Sequence, residues 1–314
     1  MAKRRYFKEL KMSQLRALTA LAGGKGFAGA AALLEVATPS VWQQVRGLED
    51  EFKVSLVEVD GQKVRLTEAG NLLVLLAKPL VQNFDELREQ FMGLLDDHSL
   101  HLRLAAPNNV LVNELLEPLR QFREKFPKVS LRLTDSPSNP ARLLLEAGEI
   151  DLAIVGLLER ELPSSLAMDH ISDFPFMLVC SLEHPLLNVR KLQAKHFVPY
   201  PLIMPSVGTN GRKRTDEVFA KAGLVSELKI AFETSTKELL LRYAQMDFGI
   251  AIAPISPRFL ADPMARLIAQ NLAFRDVSDL FGVEHLVILR RQDRHEPKPQ
   301  KAFRETVLTS LAKA

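Results

Sequence analysis

Cysteine is almost missing from this sequence of 314 residues: Cys180 stands alone, which excludes a disulfide within the chain and any CxxC metal or redox motif. Long apolar runs are missing too, and nothing approaches the roughly 18 residues of a membrane span. The opening residues Met1-Ala-Lys-Arg-Arg-Tyr-Phe-Lys8 have no apolar core and no small-residue cleavage site, so they do not read as a secretory signal. The seven histidines (98, 101, 170, 184, 196, 285 and 295) show neither HxH nor HxxxH spacing, so no metal site is expected. G-x-S-x-G, Walker and HExxH motifs are all lacking, so no enzyme and no cofactor is expected. A soluble protein in a reducing, cytoplasmic setting, with no membrane partner, is the expectation.

What is present is ordinary globular material, 47% apolar and 25% charged, in a length that suggests two domains. The net charge of +3 says little until it is divided along the chain. Residues 1–65 carry eleven basic against seven acidic side chains, so the mild basicity is an N-terminal property.

In that N-terminal part, Met12, Leu15, Leu18 and Leu21 recur at helical spacing, with Ser13 as the expected cap and Gly23-Gly24 as the stop. A second helical run, Phe27 to Leu34, places Phe27, Ala30, Ala31 and Leu34 on one face. Thr38 is the expected N-cap of a third helix with Pro39 at its first position, running to about Phe52 with Val41, Val45, Leu48 and Phe52 inward. This is a helix-turn-helix. Leu56–Val59 and Val64–Leu66 then flank Asp60-Gly61-Gln62-Lys63, which reads as a hairpin with a four-residue loop, a wing whose Lys63 and Arg65 are placed to meet phosphates. Gly24-Lys-Gly-Phe-Ala-Gly29 has the spacing of a dinucleotide fingerprint, with Glu49-Asp50 about 20 residues on. That fingerprint needs a preceding strand, and Met12–Ala22 has a helical period instead.

Thr67 caps a further helix with Glu68 in its first turn. Its apolar residues Leu73, Leu76, Leu80, Phe84, Leu87, Phe91 and Leu94 make a heptad seam with one extra step of four near Phe84. One reading packs this helix on its own domain. The other, favoured because the seam outruns any neighbouring element, is a dimerising coiled coil.

Leu15, Phe27-x-x-Ala30-Ala31-x-x-Leu34, Pro39-Ser-Val-x-x-Gln44-Val-x-x-Leu48-Glu49 and Val64-Arg-Leu-Thr-Glu-Ala-Gly70 together resemble the winged helix-turn-helix of LysR-type transcriptional regulators. The resemblance covers residues 12–90, and the rest of the chain fits that family's effector domain in length and order. It implies a regulator that binds double-stranded DNA, self-associates as a homodimer or homotetramer through the linker helix, and responds to a small-molecule effector. Carried onto this chain, Thr38, Pro39, Ser40, Gln43, Gln44 and Arg46 lie on or near the face that enters the major groove. Gln amides suit adenine, while Arg46, Lys63 and Arg65 suit phosphates. A two-fold dimer implies a nearly palindromic site with half-sites about one turn apart.

The sequence also departs from the family pattern. Trp42-Gln43 stands where Ser-Arg is frequent, Val59 replaces an arginine of the first wing strand, and Gly26, Ala28 and Gly29 replace polar residues opening the second helix. These losses keep open a second reading, a small-molecule-binding module with weakened or lost DNA recognition. The basic tail Lys3-Arg4-Arg5 is either a partial compensation or a solvated end.

From His101 short β-rich runs alternate with helices: His101–Ala106, Ser130–Thr134, Leu152–Gly156, Phe176–Cys180, Leu202–Met204, Leu228–Phe232, Gly249–Ala253 and His285–Leu289, with a closing helix Pro299–Ala312. Doubly buried runs such as Leu152–Val155 predict a mostly parallel sheet. The expected fold is α/β overall: a winged helix-turn-helix over 1–66, a linker helix over 67–97, and a two-lobed effector domain over 98–314, similar to periplasmic solute-binding proteins. Ligands in such sheets bind beyond the strands' carboxyl ends, where helix N-termini favour anions. Four polar junctions stand there: Asn108-Asn109, Ser136, the loop Ser206–Gly211 with Gly208 and Thr209, and Ser235-Thr236. Each alone reads as a helix cap, but four converging on one cleft make candidate effector contacts. Arg212-Lys213-Arg214 reads as a solvated face, with attraction of an acidic ligand as the alternative.

Overall fold

The computed structural model describes residues 10–23, 26–60, 63–95, 101–262, 267, 269–292, 294 and 296–311. The tail Lys3-Arg4-Arg5, the wing tip Gly61-Gln62 and the side chains of Lys63 and Leu94 lie outside that description. The chain forms two compact units, 1–95 and 96–314.

In the first unit, α1 (Met12–Leu21), α2 (Gly26–Leu33) and α3 (Thr38–Phe52) bury Leu15, Leu18, Leu21, Ala30, Ala31, Val41, Val45 and Leu48 in one core. The caps differ from expectation by small shifts. Lys11, not Ser13, precedes α1, and its N–H donates to Gln14 Oε1 at 2.8 Å. Ser13 instead turns its hydroxyl toward α3. Ala37 precedes α3, so Thr38 is its first residue and Pro39 its second, where a missing N–H is still harmless. Phe52 is exposed rather than inward, because the chain turns left-handed at Lys53 and leaves the core there. The wing, β1 (Val57–Asp60) and β2 (Lys63–Leu66), pairs Asp60 with Lys63, which leaves two residues in the loop and not four.

Thr67 caps α4 (Glu68–Leu95) as expected, its Oγ1 accepting from Gly70 N–H at 3.0 Å. Gly70 is required there: a Cβ would stand 2.1 Å from the Leu56 carbonyl oxygen, backbone that has no room to yield. Leu73, Ala77 and Val81 join the head core, so Leu73 belongs to the domain and not to the seam. Leu76, Leu80, Phe84, Leu87 and Phe91 are exposed. Arg16 of α1 braces the helix by pairing with Asp85 and lying 5.2 Å from the centre of the Phe84 ring.

The second unit has two lobes. In the first, β3 (His101–Ala106), β4 (Ser130–Asp135) and β5 (Leu152–Leu157) are parallel, with α5 (Asn108–Asn113), α6 (Leu116–Lys125) and α7 (Ser138–Glu146) between them. In the second, β7 (Pro201–Pro205), β8 (Lys229–Thr234) and β9 (Ile250–Pro254) are parallel and carry α8 (Asn210–Lys221), α9 (Lys237–Gln245) and α10 (Pro257–Ala261). One strand of 16 residues, β6 (Leu166–Ser181), belongs to both lobes. Residues 166–175 pair antiparallel with β11 (Val283–Arg291), and residues 176–181 pair antiparallel with β9 and with β10 (Leu272–Asp276). The return crossing runs through α11 (Ser278–Phe281) and Gly282 into β11, and α12 (Lys298–Leu311) closes the first lobe.

The sheet is therefore mixed and not mostly parallel. The reason is the double crossing: both crossover strands, β6 and β11, run against their neighbours. Apolar runs buried on both faces look alike in either direction, so burial did not reveal orientation. Phe122 packs edge-on to Phe303 at 5.3 Å and fixes α6 against α12 in the first lobe's core. In the second lobe, Phe197, Phe219 and Phe281 do the same for α8 and α11.

Candidate functional site

Two surfaces carry the candidate residues. On α3 the helical phase that buries Val41, Val45 and Leu48 turns Thr38, Pro39, Ser40, Trp42, Gln43 and Arg46 to solvent. Gln44 is different: it is half-buried, and Ser13 Oγ donates to its Oε1 at 3.0 Å. That contact ties its amide oxygen to α1, whereas Gln43 stands exposed. Arg46 is pre-positioned, donating to Glu49 Oε2 at 2.9 Å with its guanidinium 5.2 Å from the centre of the Trp42 ring. The buried Glu49 also accepts from the N–H groups of Leu56 and Val57 at 2.8 and 3.2 Å, tying α3 to the start of the wing. That carboxylate is engaged within the domain, and the element before Gly26–Gly29 is a helix where a dinucleotide fingerprint needs a strand; Gly24 and Lys25 lie outside the described residues. On the wing Arg65 is exposed and pairs across the strands with Glu58, and Lys63 opens β2.

The second surface is the cleft between the lobes, a cavity of about 330 Å³. Asn108, Asn109, Thr209, Ser235 and Thr236 line it, so five of the seven expected residues meet there. Ser136 and Gly208 do not. Ser136 is buried, its N–H donating to Ala106 O at 3.1 Å, and Gly208 turns left-handed at φ +89° with open space around it. Ser138 and Thr234 take the corresponding places in the lining. Thr209 and Thr236 do act as caps, accepting from Arg212 N–H at 3.2 Å and Leu239 N–H at 3.3 Å, and thereby aim the N-termini of α8 and α9 at the cavity.

The charges of the cleft come from residues the sequence reading passed over. Lys237 at the first position of α9 lies 5.9 Å from the Phe174 ring centre, and burial pushes its pKa down against the pull of Glu284, Glu114 and Glu238. A cation at a helix N-terminus opposes the dipole, and that anomaly was the signal available in the sequence. Glu284 stands opposite on β11. Burial pushes its carboxyl up, against the hydrogen bond from Asn210 and the charges of Lys237 and His285. Asn210 Nδ2 donates both to Glu284 Oε1 at 2.7 Å and to the Gly156 carbonyl at 2.8 Å. Gly156 must be glycine for this arrangement, since a Cβ would stand 2.3 Å from the Glu284 carboxylate. Asp135 and Glu238 add further acid to the lining, so the cavity is not simply cationic.

The alternative reading of Arg212-Lys213-Arg214 as an anion attractor fails on partners. Arg212 pairs with Asp216 and Glu233, and Lys213 and Arg214 pair with Glu217; none of the three lines the cavity.

Comparison with known proteins returns one family across both units. Residues 12–71 match the bacterial regulatory helix-turn-helix protein, lysR family, and residues 96–312 match the LysR substrate binding domain. The HTH-type transcriptional regulator CysB of Haemophilus influenzae is 26% identical over 288 residues, covering 90% of this chain and 87% of that protein. The RuBisCO operon transcriptional regulator of Allochromatium vinosum is 24% identical over 307 residues, covering 97% of each. Among solved structures, a full-length OxyR variant from Pseudomonas aeruginosa superposes with a TM-score of 0.65 at 18% identity, covering 95% of this chain and 94% of that one. Full-length CbnR in complex with its target DNA gives 0.58 at 19% identity, covering 96% and 100%. Both structures share the fold.

Proposed function

The chain belongs to the LysR family of bacterial helix-turn-helix regulators, and from that membership we propose how this DNA-binding regulator divides its labour among residues. Thr38, Pro39, Ser40 and Gln43 read or approach base edges, Arg46, Lys63 and Arg65 hold phosphates, and Gln44 braces the reading helix from inside. Asn108, Asn109, Thr209, Ser235 and Thr236 receive a small effector, with Lys237 and Glu284 at opposite ends of its polar groups. The observation that carries this reading is the convergence of two capped helix N-termini, Lys237 and Glu284 on one cavity between lobes. A group of that composition suits a small acid that also bears a hydrogen-bond donor. Exposed apolar residues along α4 support self-association as a dimer or higher oligomer.

Effector binding then shifts the population of lobe and subunit arrangements, and so the spacing at which winged domains meet DNA. The protein should bind a fragment of its own upstream region at low salt, read by fluorescence anisotropy. Gln43→Ala should cost about 1–3 kcal/mol at the preferred site and relax preference at one base step. Arg65→Ala should weaken all sequences alike and lower the salt slope by about one. Failure to bind any upstream fragment at low salt would end the reading. A thermal-shift screen of small carboxylic and amino acids finds the effector, because a ligand at about 100 times its Kd adds about 2.7 kcal/mol.

The engagement of Gln44 Oε1 by Ser13 favours carrying the second reading, a sensor with weakened sequence recognition. Equal affinity for target and scrambled DNA at matched salt would select it.

A further inference from the structure

On the face of the first lobe's sheet opposite the cleft lining, His170, Asp173 and His285 bring three potential ligand atoms within 4.8 Å of one another. Asp173 Oδ1 lies 2.7 Å from His170 Nε2 and 2.6 Å from His285 Nδ1. From these side chains we propose a second binding site, for a divalent first-row transition metal of the zinc, cobalt or nickel class.

The site is assembled by strand pairing and one irregularity. His285 of β11 sits directly opposite Asp173 of β6. His170 and Asp173 are three apart, which on a regular strand puts them on opposite faces. The register slips between Leu286 and Val287: Leu286 pairs with Ser172 while Val287 pairs with His170, so Ile171 is an extra residue. That bulge reverses the alternation and turns His170 to the same side as Asp173 and His285. Ile171 and Phe174 meanwhile remain in the core on the other face. Bulges recur where a strand must re-aim a side chain toward a site. Spacing along the chain excluded a histidine metal motif, and only the pairing of two strands far apart in sequence supplies one.

The donor set suits the ion. Two imidazoles and a carboxylate favour borderline first-row metals over calcium or magnesium, and one negative charge offsets half of a divalent one. Metal–nitrogen bonds of about 2.0–2.1 Å place tetrahedral ligand atoms roughly 3.3 Å apart, so the present contacts must open by less than about 1 Å. His170 and Asp173 are exposed and have the torsional freedom to move away from the half-buried His285, and solvent can supply the remaining positions. Arg160 lies 3.4 Å from His285 Nδ1 and is exposed, free to withdraw into water when a cation arrives. The position gives the ion a consequence. It clamps β6 to β11 where the bulge interrupts their ladder, near Pro175 and Gly282, the points where both strands cross between lobes. It also places a divalent charge one residue from Glu284, which faces the cleft.

The test uses tag-free, full-length protein stripped with a chelator, equilibrium dialysis against Zn²⁺, and visible absorption on adding Co²⁺. One Zn²⁺ per chain should bind, and it should displace a Co²⁺ spectrum of tetrahedral type. His285→Gln and Asp173→Asn should each weaken binding by at least the roughly tenfold that even an outer-sphere partner contributes, while His101→Gln binds normally. No saturable binding, or binding that these two substitutions leave unchanged, overturns the site. Should either variant lose its circular dichroism, histidine modification of the wild type decides instead. Zn²⁺ should protect His170 and His285 from diethylpyrocarbonate and leave His101 reactive, and equal modification with and without Zn²⁺ overturns the proposal.

Discussion

Cys180 lies in the second half of β6, completely buried opposite Ala273 of β10, and burial pushes its thiol up to about 11 against the opposing charge of Arg275. The unfolded chain releases that proton near the ordinary thiol value, so the native state holds it longer. Stability from the buried thiol is therefore complete below about pH 9 and is lost as the pH rises through about 11. Because the thiolate is the nucleophile, native protein should not react with Ellman's reagent near pH 8 and should release one equivalent only on denaturation. Rapid stoichiometric reaction of the folded protein would contradict this burial. Cys180 was visible in the sequence as a lone cysteine, but its inertness was not, since reactivity depends on what surrounds the sulfur. The same holds for Gln44 and Glu49. Gln44 was a candidate for base reading by residue type, and its contact with Ser13 and the contacts of Glu49 with Leu56 and Val57 were not visible in the sequence.

At the scale of elements, periodicity carried most of the fold. The three helices of the head, the wing and the capped α4 were legible because burial imposes a period that the chain must display. The start of α3 shifted by one residue, with Ala37 at the cap position and the expected cap Thr38 already inside the helix. The first half of β6, the bulge at Ile171 and the strand β10 were not legible. Residues such as Met168-Asp-His-Ile-Ser-Asp173 carry no clean alternation, because the bulge breaks it and one face is wet. On α4 the structure sharpens the choice between a domain helix and a coiled coil by dividing the helix. Leu73, Ala77 and Val81 serve the head, while Leu76, Leu80 and Leu87 stand 68%, 54% and 58% exposed along the other face. An exposed apolar stripe of that length is the mark of an interaction surface. On the proposal that α4 is an assembly surface, Leu80→Glu with Leu87→Glu should lower the mass seen in light scattering, from dimer to monomer or from tetramer to dimer, with helix content retained. An unchanged mass would show that α4 is not an assembly surface.

Across the effector domain the two lobes are joined by two crossing strands and, among the described residues, by side chains that include Asn210 and Arg258. Asn210, at the N-terminus of α8 in the second lobe, donates one N–H to Gly156 O and the other to Glu284 Oε1, both in the first lobe. On another side Arg258 of α10 donates to Ser310 O at 2.9 Å and lies 4.0 Å from Glu114. These contacts bridge the lobes, and the Asn210 pair sits in the wall of the cavity proposed to receive an effector. On the proposed effector site, a ligand that displaces Asn210 from Glu284 Oε1 would couple binding to the lobe contact through one carboxylate. Asn210→Ala removes both hydrogen bonds and leaves Glu284 without its donor, a loss on the order of 1–3 kcal/mol. The variant should melt lower, and amide exchange should speed up at residues 155–157 and 282–286 while the edge strand β4 is unaffected. If effector binding instead restores the slow exchange, the ligand has taken over the role of Asn210, and the width of the cleft is set by whichever group satisfies Glu284. Exchange and melting that match the wild type would mean that the crossing strands alone set the lobe arrangement.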